Sequence, residues 1–215
     1  MHMKLNAACL IIGLSASVAN AAELDFDKTF STKGEAAQLS YSATYSVQGS
    51  EHQVEIWRDR DLRLKRRTDG RLETYIFKPA RQDEWRMVVL DLPRKIRTDI
   101  DRSNLYRIGH FTDWFSMSHA LARPTGSYLL SELKSAPNGE KPLAECRWYA
   151  LNRAGSVSHI CWSSDLRLPL LITDGGGIVQ WRVTAASKQG VPASAFKIND
   201  AGFVKNDANA DIHTD

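Results

Sequence analysis

The 215-residue chain carries 28 Lys and Arg against 25 Asp and Glu, a formal net charge of +3, and 43% of its residues are apolar. Such a composition excludes a disordered chain and gives no bulk charge for nucleic acid. The length suits one domain with a sizeable core.

Residues 1–21 (MHMKLNAACLIIGLSASVANA) join a polar start with Lys4 to an apolar run from Ala7 to Val18, then small Ala19 and Ala21 at the cleavage positions. This is the pattern of a secretory signal peptide, with the mature chain, residues 22–215, beginning at Ala22. The run is too short for a spanning helix and no later stretch qualifies, so the expectation is an exported protein that does not span the membrane. Cys9 precedes the apolar run and lacks the Leu of a lipidation motif. Removing the leader leaves Cys146 and Cys161 in a compartment where disulfides persist.

Residues 22–36 hold Leu24, Phe26 and Phe30 between charges, which fits either a short amphipathic helix or a loose arm. From Leu39 to Val47, Leu, Tyr, Ala, Tyr and Val alternate with Ser and Thr, the period of a strand with one buried face. A second strand, Glu51–Arg58, puts Val54 and Ile56 on one face and Trp57 on the other. Arg60–Arg67 and Leu72–Lys78 flank Asp69-Gly70, a hairpin turn. Trp85–Leu90 and a weaker alternation through Ile96, Thr98 and Ile100 follow. Between Ser103 and Ala122 the apolar spacing becomes helical, with Leu105, Ile108, Phe111, Trp114, Phe115, Met117 and Leu121, and Pro124 ends it.

Strands resume at 126–133. Residues 145–151 and 156–162 form a hairpin that, folded about Arg153 and Ala154, places Cys146 opposite Cys161. Opposed Cβ atoms lie about 4.5–5.5 Å apart, so a small adjustment closes a disulfide, although a reactive pair is the other reading. Leu168–Ile172, Gly175-Gly176-Gly177 as a hairpin turn, Ile178–Thr184 and a last short strand at 195–198 complete about ten strands. An acidic tail occupies 204–215. The expected fold is mainly β: a curved antiparallel half-open barrel with one or two short helices over its concave face.

The order of these elements resembles the LolA-like superfamily of exported bacterial proteins, which includes the lipoprotein carriers LolA and LolB and the sensor RseB. The resemblance rests on LSYSATYSV, VEIWR, the charged hairpin LRLKRRTDGRLETYIF, the mid-chain apolar helix, and the late run CWSSDLRLPLLITDGGGIVQWRV followed by SAFKI and Gly202-Phe203. It implies a periplasmic, non-enzymatic protein whose apolar concave face, lidded by helices, holds a lipid, an acyl chain or a lipidated protein. The alternative it implies is a sensor or scaffold of RseB type that meets an inner-membrane or envelope protein. Dense arginine content and the stapled hairpin depart from the carriers.

No Gly-x-Ser-x-Gly motif is present and no cysteine is spare, so nucleophilic catalysis is not expected. His110 and His119 stand nine residues apart, unlike the one-turn pair of a metal-binding helix, and the glycine triplet is not followed by the helix that phosphate cradling requires. No cofactor or metal is expected. The tail from Asp207 to Asp215 alternates oxygen ligands but lacks the glycine and glutamate of a calcium loop. Under the resemblance, Leu39, Tyr41, Tyr45, Val54, Ile56, Trp85 and Met87 of the sheet, with Trp114 and Phe115 of the lid, are the expected cavity wall; packed side by side they would instead be core. Arg58, Arg63, Lys65 and Arg67 form a basic stripe that either meets an anionic headgroup or partner, or is a solvated face.

Overall fold

Strict alternation in β1 (Gln38–Val47) buries Leu39, Tyr41 and Ala43 on one face and leaves Ser40, Ser42 and Thr44 on the other. In the computed structural model, which describes residues 23–78, 85–100, 113–137 and 139–207, this strand is the middle of one curved, open, twelve-stranded sheet. On one side run β2 (Ser50–Asp59), β3 (Arg63–Thr68), β4 (Leu72–Phe77), β5 (Arg86–Asp91) and β6 (Ile96–Ile100). On the other run β11 (Val179–Ser187), β10 (Leu168–Asp174), β9 (Ser156–Ser163), β8 (Arg147–Arg153) and β7 (Tyr128–Leu133). These neighbours are antiparallel, and β12 (Val204–Asp207) joins β6 in parallel. The mainly β, half-open architecture agrees with expectation. Residues 1–22, where a signal peptide is expected, residues 101–112 with His110, and the residues beyond Asp207 lie outside the described residues.

Tight turns set the register. Gln48-Gly49, Asp69-Gly70 and Ala154-Gly155 each place two successive residues at positive φ, the type I′ geometry whose twist matches antiparallel strands. Because Gly155 supplies the second of these positions, the β8–β9 turn lies one residue later than expected. Trp148, and not Cys146, therefore pairs with Cys161. The cysteines are diagonal neighbours, yet at a Cα–Cα distance of 5.4 Å they form the disulfide.

Two helices lie on one face of the sheet. In α1 (Phe26–Thr29), capped by Asp25, Phe26 and Phe30 turn onto Leu130, Tyr149, Leu151, Ile160 and Trp162. In α2 (Trp114–His119), the Asp113 carboxylate accepts from the backbone N–H groups of Phe115 and Ser116, and Ala120 ends the helix at a φ of 52°. Arg123 binds Asp27 and Asp113, tying the two helices together.

The opposite face carries a smaller core of Tyr75, Val88 and Leu90, covered by Ile198 and Phe203. Two expectations fail here. Residues 193–196 form a 3-10 helix, because the chain must turn across this face after Pro192. Residues 204–207 are a strand held by backbone pairing to β6 despite being exposed throughout, so the acidic tail begins later.

Glu73 anchors this face, accepting from Lys65 at 2.8 Å, from Arg67 at 2.6 Å and from the Tyr75 hydroxyl at 2.6 Å. Burial raises its proton affinity, but these donors outweigh burial and hold the carboxyl below its ordinary value. A depressed folded-state value adds stability above the unfolded carboxylate range, near about pH 4.3, that is lost as pH falls through the folded value. Glu73→Gln should thus lower the urea midpoint at pH 7 and show a shallower further loss toward pH 3 than the wild type; parallel pH profiles would contradict this.

Candidate functional site

Residues 54, 56 and 58 of β2 share one face by strand parity, so the face that buries Val54 and Ile56 also receives Arg58. Arg58 pairs across the sheet with Leu64 and is 0% exposed. A guanidinium cannot be buried without partners, and two segments remote in sequence supply them. Glu35, in the loop between α1 and β1, places Oε2 at 2.9 Å from Arg58 Nη1. His119, at the end of α2, places Nε2 at 2.9 Å from the same Nη1 and at 3.0 Å from Glu35 Oε2.

The hydrogen bonds around the His119 ring place a hydrogen on Nδ1. Nδ1 lies 3.0 Å from the Phe115 carbonyl, which can only accept, and 2.7 Å from Ser118 Oγ, whose proton goes to the Trp114 carbonyl at 2.7 Å. Nδ1 therefore carries a hydrogen, and Nε2 stands within hydrogen-bond distance of both Arg58 Nη1 and Glu35 Oε2. Ser118, His119 and Glu35 stand in the order of a nucleophile array, but the ring nitrogen facing Ser118 already carries hydrogen and the serine is buried. The array holds Arg58 and does not deprotonate Ser118.

Tyr41 completes the cluster by donating to the Ser118 carbonyl at 3.0 Å. Burial pushes its phenol well above the usual value against the opposing charges of Arg58 and Arg66, so it stays a donor. Four elements thus meet here: β1, β2, α2 and the Glu35 loop. One edge of Arg58 is left over: Nε and Nη2 are buried and have no hydrogen-bond partner.

The expected cavity-wall residues gather around this polar knot in two groups. Leu39, Tyr41, Val54, Ile56 and Met87 are buried together, with Tyr45, Trp85 and Trp114 packed against them. Trp114 stacks on Trp85 with ring centroids 4.5 Å apart. Phe115 points elsewhere, into the cluster of Phe26, Phe30 and Trp162, because adjacent helical residues face about 100° apart.

The basic stripe is divided by the pleat. Arg58 is on the helix-bearing face, while Arg63, Lys65 and Arg67 alternate on the opposite face. There each meets carboxylate: Arg63 with Asp59 at 2.8 Å, Lys65 with Glu73, and Arg67 with Glu73 and Glu55. Cross-strand charge pairing of this kind makes the three a zipper between β2, β3 and β4. Composition alone pointed to a stripe; strand parity was the signal that separates Arg58 from it. Glu35 and Ser118 were not expected at any site, and no local pattern links them to Arg58.

Among the described residues, no helix is long and apolar enough to cross a membrane, and no cluster of His, Cys, Asp and Glu could hold a metal ion. No family model and no curated protein matches the chain. Solved structures with some likeness include MucB, at TM-score 0.39 and 14% identity over 76% of this chain and 57% of that one. Another is PNGF-II, at TM-score 0.34 and 10% identity over 80% of this chain and 31% of that one. The chain thus spans little more than half of the first and under a third of the second. Likenesses this distant bear on neither the site nor its use.

Proposed function

We propose that the protein is a non-enzymatic binding protein of the cell envelope that takes a lipid, an acyl chain or another amphiphile between the helix-bearing face of the sheet and α2. The observation that carries this reading is the way α2 sits. It is a six-residue helix whose Trp114 and Met117 cover the apolar face of an open sheet, and helices so short are marginal by themselves. An acyl chain that displaces Trp114 from Trp85 exchanges one apolar contact for another, with roughly 25 cal/mol gained per Å² of newly buried apolar surface. The order of sequence elements that resembles the LolA-like superfamily supports the reading. So does the Cys146–Cys161 bridge, of the kind that persists in oxidising compartments, together with the leader-like N-terminal residues.

Native mass spectrometry of protein purified from its own envelope tests it: co-purifying lipid is the expected result. Trp114→Glu should reduce that retention on the order of ten-fold or more while the circular dichroism spectrum is unchanged. Undiminished retention in the variant would remove α2 from the binding site. A second reading, a scaffold that docks on a membrane-protein partner, is favoured by Val47 and Ile178, which are 48% and 64% exposed near the ends of β1 and β11. Empty protein that brings down an inner-membrane protein would support it instead.

A further inference from the structure

Arg58 presents an unused fork. In a guanidinium, Nε–H and the adjacent Nη2–H point the same way and grip an oxyanion as a pair. Three other arginines fill that edge: Arg63 gives Nε and Nη2 to Asp59, Arg67 gives both to Glu73, and Arg97 gives both to Asp99. In Arg58 both partners, the Glu35 carboxylate and the His119 ring, meet Nη1 alone, and the fork is left buried with no partner. Buried and unpaired N–H groups of a charged side chain are disfavoured, so a group that fills the fork is bound with that penalty relieved.

We infer that the Nε/Nη2 edge of Arg58 is the anchor for the oxyanion head, carboxylate or phosphate, of the amphiphile. The inference rests on the proposed binding function and deepens it. Its geometry is consistent with an apolar tail: Ile56 and Val54 precede Arg58 along the same face of β2, and Leu39 and Leu64 flank it on the neighbouring strands. A head held at Arg58 therefore has the apolar surface of Val54, Ile56, Leu39 and Leu64 beside it for the tail. Access requires α2 and the Glu35 loop to lift, since they close over Arg58 in this structure. Arg63, Lys65 and Arg67 take no part, being on the other face with their own carboxylates.

The test uses the full chain and three twelve-carbon probes: dodecanoate, dodecyl phosphate and dodecanol. Wild-type protein should bind one or both acids about ten-fold or more tightly than the alcohol, and whichever acid is preferred identifies the head. Arg58→Lys retains a cation for Glu35 but lacks the fork; the ratio of its acid to dodecanol affinities should lose the wild-type preference for acid. Equal wild-type affinity for all three probes overturns the anchor and leaves the amphiphile reading standing. A preference that persists in Arg58→Lys also overturns it. Failure of the wild type to bind any probe removes the amphiphile reading and the anchor with it. Should the variant not fold, the Nε–Hε resonance of Arg58 in the wild type decides: it should shift with the acids and not with dodecanol, and an unmoved resonance refutes the assignment.

Discussion

Glu35→Ala is expected to destabilise the fold by about 3 kcal/mol, because it leaves the Arg58 guanidinium buried without a carboxylate and with the His119 ring as its only partner. Glu35 itself keeps 20% of its side-chain surface, which places the effect toward the lower end for broken buried pairs. Arg58→Met should cost less, since the stranded carboxylate can turn to water. The combination Glu35→Ala/Arg58→Met should recover much of the loss, as apolar replacements of whole buried ion pairs commonly do. Urea unfolding of the four proteins closes the cycle, and strictly additive losses would show that the pair is uncoupled. The result matters for the site: a strongly coupled pair means that α2 and the Glu35 loop are held down through one guanidinium nitrogen.

Opening the Cys146–Cys161 bridge should cost about 3 kcal/mol, the value for a loop of this length. For a protein of this size that corresponds to a fall in Tm of roughly 6–12 °C. Cys161 is fully buried beside Trp148 and Leu171, while Cys146 lies just before β8. The bridge therefore fixes the approach of the 139–146 segment, whose Glu140 holds Arg182 of β11 at 2.6 Å. Scanning calorimetry of Cys146→Ala/Cys161→Ala against the oxidised protein measures the effect. Coincident transitions would mean that the loop is equally ordered without its bridge.

The elements that could be read in the sequence are those fixed by local chemistry. Alternation from Leu39 to Val47 and the Asp69-Gly70 turn specify strand, face and register with no distant information. Val204–Asp207 carries no such signal. It is a strand only because β6 offers an edge, and its four exposed residues read as tail. The site was half legible. Parity along Val54, Ile56 and Arg58 already sends the arginine inward, but a run dense in Arg and Lys reads as a surface stripe when charge is counted and the pleat is not. Its partners come from 84 residues apart in sequence, Glu35 and His119, brought together by tertiary packing that no pattern within either segment encodes.

The two ends of the described chain ride on opposite rims of the sheet. Leu24 N–H donates to the Leu130 carbonyl of β7, and β12 is laced to β6, the outermost antiparallel strand of the other side. Fluorophores attached near Glu23 and Asp207 would accordingly work as a molecular caliper, reporting whether the gap between those rims widens or narrows when an amphiphile is added.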